Sequence, residues 1–291
     1  MKREVKRFSS AFIAPAFLVY AVFIIVPVLL SVYYSFTKWD GISPKVFIGF
    51  RNYAYLFTDS DYWMVVKNTA VLILYSVIFQ VFLGLVLAYL LYRCVKGFKF
   101  FRTVFFLPVV ISPIAIGLMF SLFYNTELGP LNKFLEVVGL AWMKHEWLSD
   151  PKIVLNSVIF PQVWQYIGLY IVIFLAALQS VPEEILESAR MDGASSFKTF
   201  VKIILPLLWE ISQICIILAV TGSLKAFDHA WVITGGGPGN ASSYIALSMF
   251  RTAFVDHDFG YGSTLTATIM LYAVLFTMAF KKFFSTESVE Y

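Results

Sequence analysis

The chain has 291 residues, of which 59% are hydrophobic and 14% are charged, and its net charge is +4 at pH 7. A soluble domain is usually about half apolar and about one-quarter charged. This composition therefore excludes an ordinary water-soluble domain and predicts a protein embedded in lipid. Nucleic acid is excluded as a partner because no basic face is long enough to follow a phosphate backbone.

Six apolar segments are long enough to cross a bilayer, which requires about 20 mostly apolar residues. In chain order they cover residues 12–36, 69–92, 103–124, 154–178, 211–233 and 263–284. The first segment follows a basic cluster, as a signal peptide does. It is longer than the core of a signal peptide, about 7–15 residues, and no A-x-A site follows it, so we interpret it as a retained span. The pattern predicts an all-α, multi-pass integral membrane protein.

The distribution of basic residues predicts the orientation of these spans. The segments 1–10, 93–102, 181–203 and 281–291 together contain 13 of the 22 Lys and Arg residues. Lys and Arg accumulate on the cytoplasmic side of a membrane. We therefore expect both termini on the cytoplasmic side of the cell (inner) membrane.

The third of these inner segments has a pattern of its own. Ser180 and Glu183 have the S-x-x-E spacing of a capping box, which predicts a helix that begins directly after Ser180. Gly193 interrupts this helix, and Ser195 and Ser196 can cap a second one that continues toward Pro206. Composition alone leaves an interfacial amphipathic helix on lipid as the alternative.

The same segment contains a family motif. Residues 187–194 read Glu-Ser-Ala-Arg-Met-Asp-Gly-Ala, and residues 204–206 read Ile-Leu-Pro. This run resembles the EAA loop of ABC importer permeases, with Ser188 in place of the first alanine and a compressed tail. Five further segments resemble the carbohydrate-uptake branch of that family, the relatives of the maltose and glycerol-phosphate permeases: residues 49–53, 106–113, 234–238, 251–254 and the segment around Asn132.

The resemblance implies a type I ABC importer permease fold. It implies a single transmembrane domain over residues 1–291, with a permease core over about 68–284 and a cytoplasmic coupling loop over 181–206. In such importers the loop docks in a cleft of an ATP-binding subunit. Carried over, Glu187 is the polar contact, Ala189 the small packing surface and Gly193 the turn. The implied coupling residues are Glu187, Ser188, Ala189, Asp192, Gly193 and Pro206.

The resemblance also implies partners. These are a dimer of ATP-binding subunits, a second homologous permease subunit and an extracytoplasmic solute-binding protein, with membrane lipid around the spans. The sequence has no G-x-x-x-x-G-K-[ST] motif, so we expect ATP and Mg²⁺ on the partner ATPase and no cofactor or catalytic site on this chain. Its three histidines have no partners at metal-ligand or triad spacing.

Polar side chains within the predicted spans are candidates for a substrate path, because burying them in a membrane is costly. Lys225 and Asp228 are three residues apart in the fifth span and can pair on one helical face. Interhelical hydrogen bonding is the alternative role for any one polar residue. We predict a path that includes Gln162, Gln165, Tyr166, Lys225 and Asp228, with Gln165 and Asp228 as the first choices.

These observations predict a permease subunit of an ATP-driven importer for a sugar or a sugar-like solute, working by alternating access. The alternative is a secondary transporter driven by an ion gradient. Such a transporter typically shows internal repeats and a buried ion site, and neither is evident in the sequence.

Overall fold

The structure is a computed structural model and describes residues 13–93 and 97–284. Of the predicted cytoplasmic segments, residues 1–10 lie outside these ranges, as do residues 94–96 of the segment 93–102 and residues 285–291 of the segment 281–291. The helices are α1 Ile13–Tyr34, α2 Arg51–Thr58, α3 Ser60–Arg93, α4 Phe98–Val110, α5 Pro113–Phe123, α6 Pro130–Val137, α7 Val154–Gln179, α8 Glu183–Met191, α9 Ser196–Leu207, α10 Trp209–Leu224, α11 Asp228–Thr234, α12 Ile245–Val255 and α13 Phe259–Phe284. Two short strands, β1 Thr37–Lys38 and β2 Val46–Phe47, pair antiparallel.

The helices confirm an all-α chain with six apolar spans. Four of them, α1, α3, α7 and α13, are each long and apolar enough to cross a membrane. The bent pairs α4–α5 and α9–α10 bring the number to six when each pair counts as one span. The chain is therefore an integral membrane protein of the predicted class.

The third predicted span is a broken helix rather than a single rod. α4 ends at Val110, α5 begins at Pro113, and the two axes differ by 92°. Ser112 has extended backbone angles, with φ −57° and ψ 131°. Proline disfavours the helical conformation for the residue before it and has no N–H to donate. Pro113 therefore ends α4 and starts a helix in a new direction.

The fifth predicted span, residues 211–233, begins close to its predicted start but was wrong at its C-terminal end. Its helix α10 begins at Trp209 after a 72° bend from α9, and it ends at Leu224. The Lys225 N–H bonds to the carbonyl of Gly222, which tightens the last turn. Phe227 then leaves the helical region at φ −142° before α11 begins. The apolar composition continues across this break and conceals it in the sequence.

The long helix α3 contains a widened, π-helical turn over Ser76–Phe82. π-bulges inside α-helices occur frequently at functional sites. This turn carries Ser76 and Gln80, which are 1% and 4% exposed. Its two polar side chains are thus directed into the interior.

Backbone contacts divide the chain into two compact units. The first is made of Met1–Asp59 and Ser248–Leu271, within which the Thr264 hydroxyl and the Asn52 amide both donate to the Ser35 carbonyl. In its surface loop the Asp40 carboxylate accepts hydrogen bonds from the N–H groups of Ile42 and Ser43 and from the Ser43 hydroxyl. These bonds hold the pKa of Asp40 at about 2.

The second unit, Ser60–Leu247 with Tyr272–Tyr291, contains the main apolar core. Side chains from α3, α5, α7, α11 and α12 meet there, among them Leu72, Phe120, Ile159, Ile233 and Leu247. Two glycines allow close helix approach: a Cβ on Gly84 would lie 3.1 Å from Tyr170 Cβ, and one on Gly117 would lie 3.0 Å from Val232 Cβ.

Candidate substrate cavity and coupling loop

A cavity of about 280 Å³, lined by both polar and apolar side chains, lies within the second unit. It is bounded by the widened turn of α3, the middle of α7, the end of α10 and the start of α11. Four of the five predicted path residues line it: Gln162, Tyr166, Lys225 and Asp228. The structure thus brings together residues that are more than 60 positions apart in the sequence.

Neutral hydrogen-bonding groups form the deep wall of the cavity. The Gln80 amide donates to the carbonyl of Gln162 at 3.4 Å, and the Ser223 hydroxyl donates to Ser76 Oγ at 3.1 Å. Gln162 itself is only 7% exposed. Buried amides and hydroxyls of this kind can exchange hydrogen bonds with the hydroxyl groups of a solute.

Lys225 and Asp228 bring opposite charges to the exposed rim of the cavity. The prediction that they share one helical face was wrong, because Lys225 follows the end of α10 and Asp228 begins α11. Among the ion pairs of the described residues, none joins Lys225 to Asp228. Both side chains therefore remain available to a solute.

Gln165 lies elsewhere. It is 0% exposed, and its Nε2 donates to the Ile111 carbonyl at 2.8 Å, at the break between α4 and α5. This carbonyl has lost its helical partner because α4 ends there. Gln165 does not line the cavity, and its contact supports the bend of the third span.

Several lining residues were missed in the sequence. His229 is 3% exposed, lines the cavity, and its Nε2 has no hydrogen-bond partner among the described residues. Its ring lies 6.3 Å from that of Tyr166, centroid to centroid. Ser76 and Gln80 were missed because a regular helix gives no reason to place them together. The sequence gives no sign that the His229 nitrogen is buried without a partner.

The predicted coupling loop forms two helices with a turn between them. The predicted capping box was wrong: α8 begins at Glu183, and the Ser180 hydroxyl bonds back to the carbonyl of Ala177. Pro182 precedes the helix in an extended conformation at ψ 130°, so it sets the start without a side-chain cap. Of the two predicted caps of the second helix, Ser195 is confirmed, since its Oγ accepts the N–H of Lys198. Ser196 is instead the first residue of that helix.

The predicted glycine turn is present. Gly193 has φ +71°, and a Cβ placed there would have no atom within 4 Å. The Ala194 N–H bonds to the carbonyl of Ala189, and the Gly193 N–H bonds to that of Arg190. This is the Schellman end of a helix, in which the glycine adopts the left-handed conformation.

The loop exposes most of its predicted coupling residues. Leu186 and Ala189 are 9% and 5% exposed and pack within the chain. Ala189 is therefore not part of the outer surface. The exposed set is Glu187, Ser188, Asp192, Gly193 and Pro206. Exposed Met191, with 87% of its surface accessible, adds a large apolar side chain to this polar surface.

A residue missed in the sequence connects the loop to the second span. Tyr89, on the last turns of α3, donates its hydroxyl to the Ser196 carbonyl at 3.3 Å. Its ring lies 4.9 Å from that of Phe200. Both contacts join the end of α3 to α9. Within residues 13–93 and 97–284, no cluster of three His, Cys, Asp or Glu side chains is arranged to hold a metal ion.

Comparison with known proteins identifies the class. Residues 80–285 match the family described as binding-protein-dependent transport system inner membrane component. The chain is 36% identical to the probable ABC transporter permease protein YurN of Bacillus subtilis, over 100% of both chains. It is 32% identical to the multiple sugar-binding transport system permease protein MsmF of Streptococcus mutans, over 91% of both chains.

A solved structure shares the fold. A chain of a bacterial alginate ABC transporter, in complex with an alginate pentasaccharide-bound periplasmic protein, superposes with a TM-score of 0.83 at 19% identity, covering 97% of this chain and 96% of that one. The chain belongs to the binding-protein-dependent transport system inner membrane component family and is an ABC transporter permease, with the type I importer fold that its loop predicted.

Proposed function

We propose that this chain is the transmembrane subunit of an ATP-driven sugar importer and that it moves its solute by alternating access. The observation that carries the proposal is the combination of a cavity lined partly by polar side chains, between membrane helices, with an exposed helix–turn–helix loop on the same unit. The relative MsmF, a permease of a multiple sugar-binding transport system, supports a sugar as the substrate.

The cavity is suited to a neutral or mildly polar solute. Gln80, Gln162, Ser223 and His229 offer hydrogen bonds to hydroxyl groups, and the Tyr166 ring offers an apolar face. Lys225 and Asp228 at the rim are placed to bind polar groups as the solute enters. The cavity volume of about 280 Å³ within this chain is close to the lower bound of about 300 Å³ for ligand sites.

The loop is proposed to dock on an ATP-binding subunit. Glu187 and Asp192 provide exposed carboxylates, and Met191 provides an apolar anchor. ATP and Mg²⁺ would be bound by that partner, which leaves this chain without a catalytic role. Tyr89 would carry the resulting displacement from α9 to α3, whose widened turn bounds the cavity.

The proposed assembly contains three further components: a second ATP-binding subunit, a second permease and an extracytoplasmic solute-binding protein. The binding protein in complex with the alginate transporter supports the last of these. The proposed location is the inner membrane, with both termini cytoplasmic. The concentration of Lys and Arg in the four inner segments supports this orientation.

Uptake into vesicles tests the proposal. The full-length chain would be reconstituted with its partner permease, ATPase and binding protein, and labelled mono- and oligosaccharides would be supplied with and without ATP on the ATPase side. We expect uptake that requires ATP and survives an uncoupler. Uptake that does not require ATP and is lost when the ion gradient is dissipated would instead identify a secondary transporter.

A further inference from the structure

A second cavity, unrelated to the substrate path, lies on the surface between α4 and α7. It has a volume of about 540 Å³ and is lined by Lys99, Arg102, Thr103, Phe106, Leu107, Val110 and Val172. Its composition changes along its length: basic and hydroxyl groups lie at one end and only apolar side chains at the other. None of the predicted path or coupling residues contributes to it.

The lining residues of α4 form one continuous stripe. They recur at intervals of three and four residues from Lys99 to Val110, which places them on a single helical face. These eleven steps span about 16 Å at 1.5 Å per residue. One leaflet of a bilayer contributes about 15 Å of hydrocarbon, half of the core thickness. The helix ends at Val110, where the chain turns through 92°, so the stripe is about as long as one leaflet is thick.

The basic end of the groove has no acidic partner. Among the described residues, no ion pair involves Lys99 or Arg102, and both side chains are exposed. They lie in the first turns of α4, so the positive end of the helix dipole adds to their charge. The Thr103 hydroxyl donates a hydrogen bond to the Lys99 carbonyl. Lys99 and Arg102 are therefore the main groups that would attract an anion.

The apolar end of the groove exposes hydrocarbon side chains, which are unfavourable in contact with water. Leu107 and Val110 are 59% and 72% exposed. Close packing fixes the groove between its two helices, because a Cβ on Gly168 of α7 would lie 2.0 Å from the Phe105 carbonyl oxygen of α4. The two helices therefore cross in near contact, and the groove is formed before any ligand binds.

We propose that this groove binds one anionic phospholipid of the cytoplasmic leaflet. Its phosphate would lie between Lys99 and Arg102, and one acyl chain would run along Phe106 and Leu107 to Val110. Basic pockets between transmembrane helices on the cytoplasmic side bind acidic headgroups in this way. The charge pattern, the length of the stripe and its end at the helix break all fit a lipid of a single leaflet.

Native mass spectrometry of the transporter purified through the full-length chain tests this site. Phosphatidylglycerol and phosphatidylcholine would be offered in equal amounts, and the retained lipids counted. We expect phosphatidylglycerol to be retained at least tenfold more than phosphatidylcholine, and K99A/R102A to abolish the preference. The matched control K281A/K282A, which removes two exposed cations from the end of α13, should retain it.

A groove-filling variant distinguishes binding of the whole lipid from binding of its headgroup alone. Val110→Trp keeps both cations but blocks the apolar end, so it should also lose the lipid, while free glycerol phosphate should not compete in the wild type. Equal retention of the two lipids by the wild type would overturn the proposal. The proposal would also be overturned if K99A/R102A and K281A/K282A lost the preference for phosphatidylglycerol equally, because this would indicate general charge attraction. Unchanged retention of phosphatidylglycerol by Val110→Trp would contradict it as well.

Discussion

Gly168 and Gly193 lie in the two regions that define this transporter, and each is required for a different reason. Gly168 faces the Phe105 carbonyl of a neighbouring helix, and a Cβ would lie 2.0 Å from that oxygen. Gly193 has open space around it but a backbone φ of +71°. In the membrane region close packing determines the residue, whereas in the coupling loop backbone conformation and surface chemistry do. Substitutions should therefore reduce the amount of folded protein in the first region and transport per folded molecule in the second.

The largest effect is expected from reversing a charge on the coupling surface. Glu187→Lys should reduce ATP-dependent uptake to background while the amount of protein in the membrane stays unchanged, because Glu187 is exposed and makes no intrachain ion pair among the described residues. Gly193→Asp should do the same, because it adds a carboxylate beside Asp192 at the turn, while aspartate itself can adopt the left-handed backbone of that position. Uptake and membrane content would be measured on the same vesicles.

Glu184 provides the matched control for this prediction. It is exposed on the same helix, α8, and Glu184→Lys makes the same change of charge. We expect it to retain uptake. Equal loss in both variants would show that net charge, rather than a contact of Glu187, governs the loop, and normal transport by Glu187→Lys and Gly193→Asp would remove the coupling assignment.

A smaller loss, of stability rather than of coupling, is expected at the helix crossing. Gly168→Ala should lower the stability of the protein by about 1–3 kcal/mol, the usual cost of overpacking a core. For a chain of this size that is a decrease of about 2–5 °C in thermal midpoint. Thermal unfolding followed by size-exclusion chromatography in detergent would measure it.

Gly222 is the control for the crossing. It lies in α10, and a Cβ there would meet no atom within 4 Å. Because alanine favours a helix over glycine by about 1 kcal/mol, Gly222→Ala should not lower the thermal midpoint. If both glycines behave alike, close packing at Gly168 is not the cause.

The cavity and the helix break should respond differently to loss of a polar group. Asp228→Asn at the rim should lower the uptake rate at saturating binding protein about tenfold, equivalent to ~1.4 kcal/mol, with normal thermal stability. Gln165→Leu leaves the Ile111 carbonyl without its hydrogen bond and should lower stability by about 1 kcal/mol. Uptake kinetics and unfolding measured in parallel would distinguish the roles.

The opposite result would revise the cavity assignment. If Asp228→Asn destabilises the protein and Gln165→Leu slows uptake, then the path lies toward α4 and α5 instead of α11. Double alanine substitution at Gln165 and Asp228 with unchanged kinetics would exclude both as path residues.

Span number and the coupling loop could be predicted from the sequence because both depend on local features. Apolar length marks a span, and the Glu187–Gly193 spacing marks the loop. The breaks at residues 111–112 and 225–227 could not be located in this way, since hydropathy continues across them. Pro113 is evident in the sequence, but a proline that kinks a helix and a proline that ends it cannot be told apart there. The cavity residues Ser76 and Gln80 depend on a widened helical turn that no periodicity reveals.

The smallest effect is expected at the cap of α9. Ser195 Oγ accepts the Lys198 N–H, and replacing an N-cap serine with alanine costs about 1 kcal/mol. Ser195→Ala should therefore loosen the start of α9 and lower uptake less than twofold, because Tyr89 still holds the Ser196 carbonyl. Amide hydrogen exchange over residues 193–199 would detect the loosening. Ser196→Ala is the control, since it keeps the carbonyl that Tyr89 binds and removes no cap. Exchange that rises equally in both variants would mean that the turn at Gly193, not the serine cap, starts the helix.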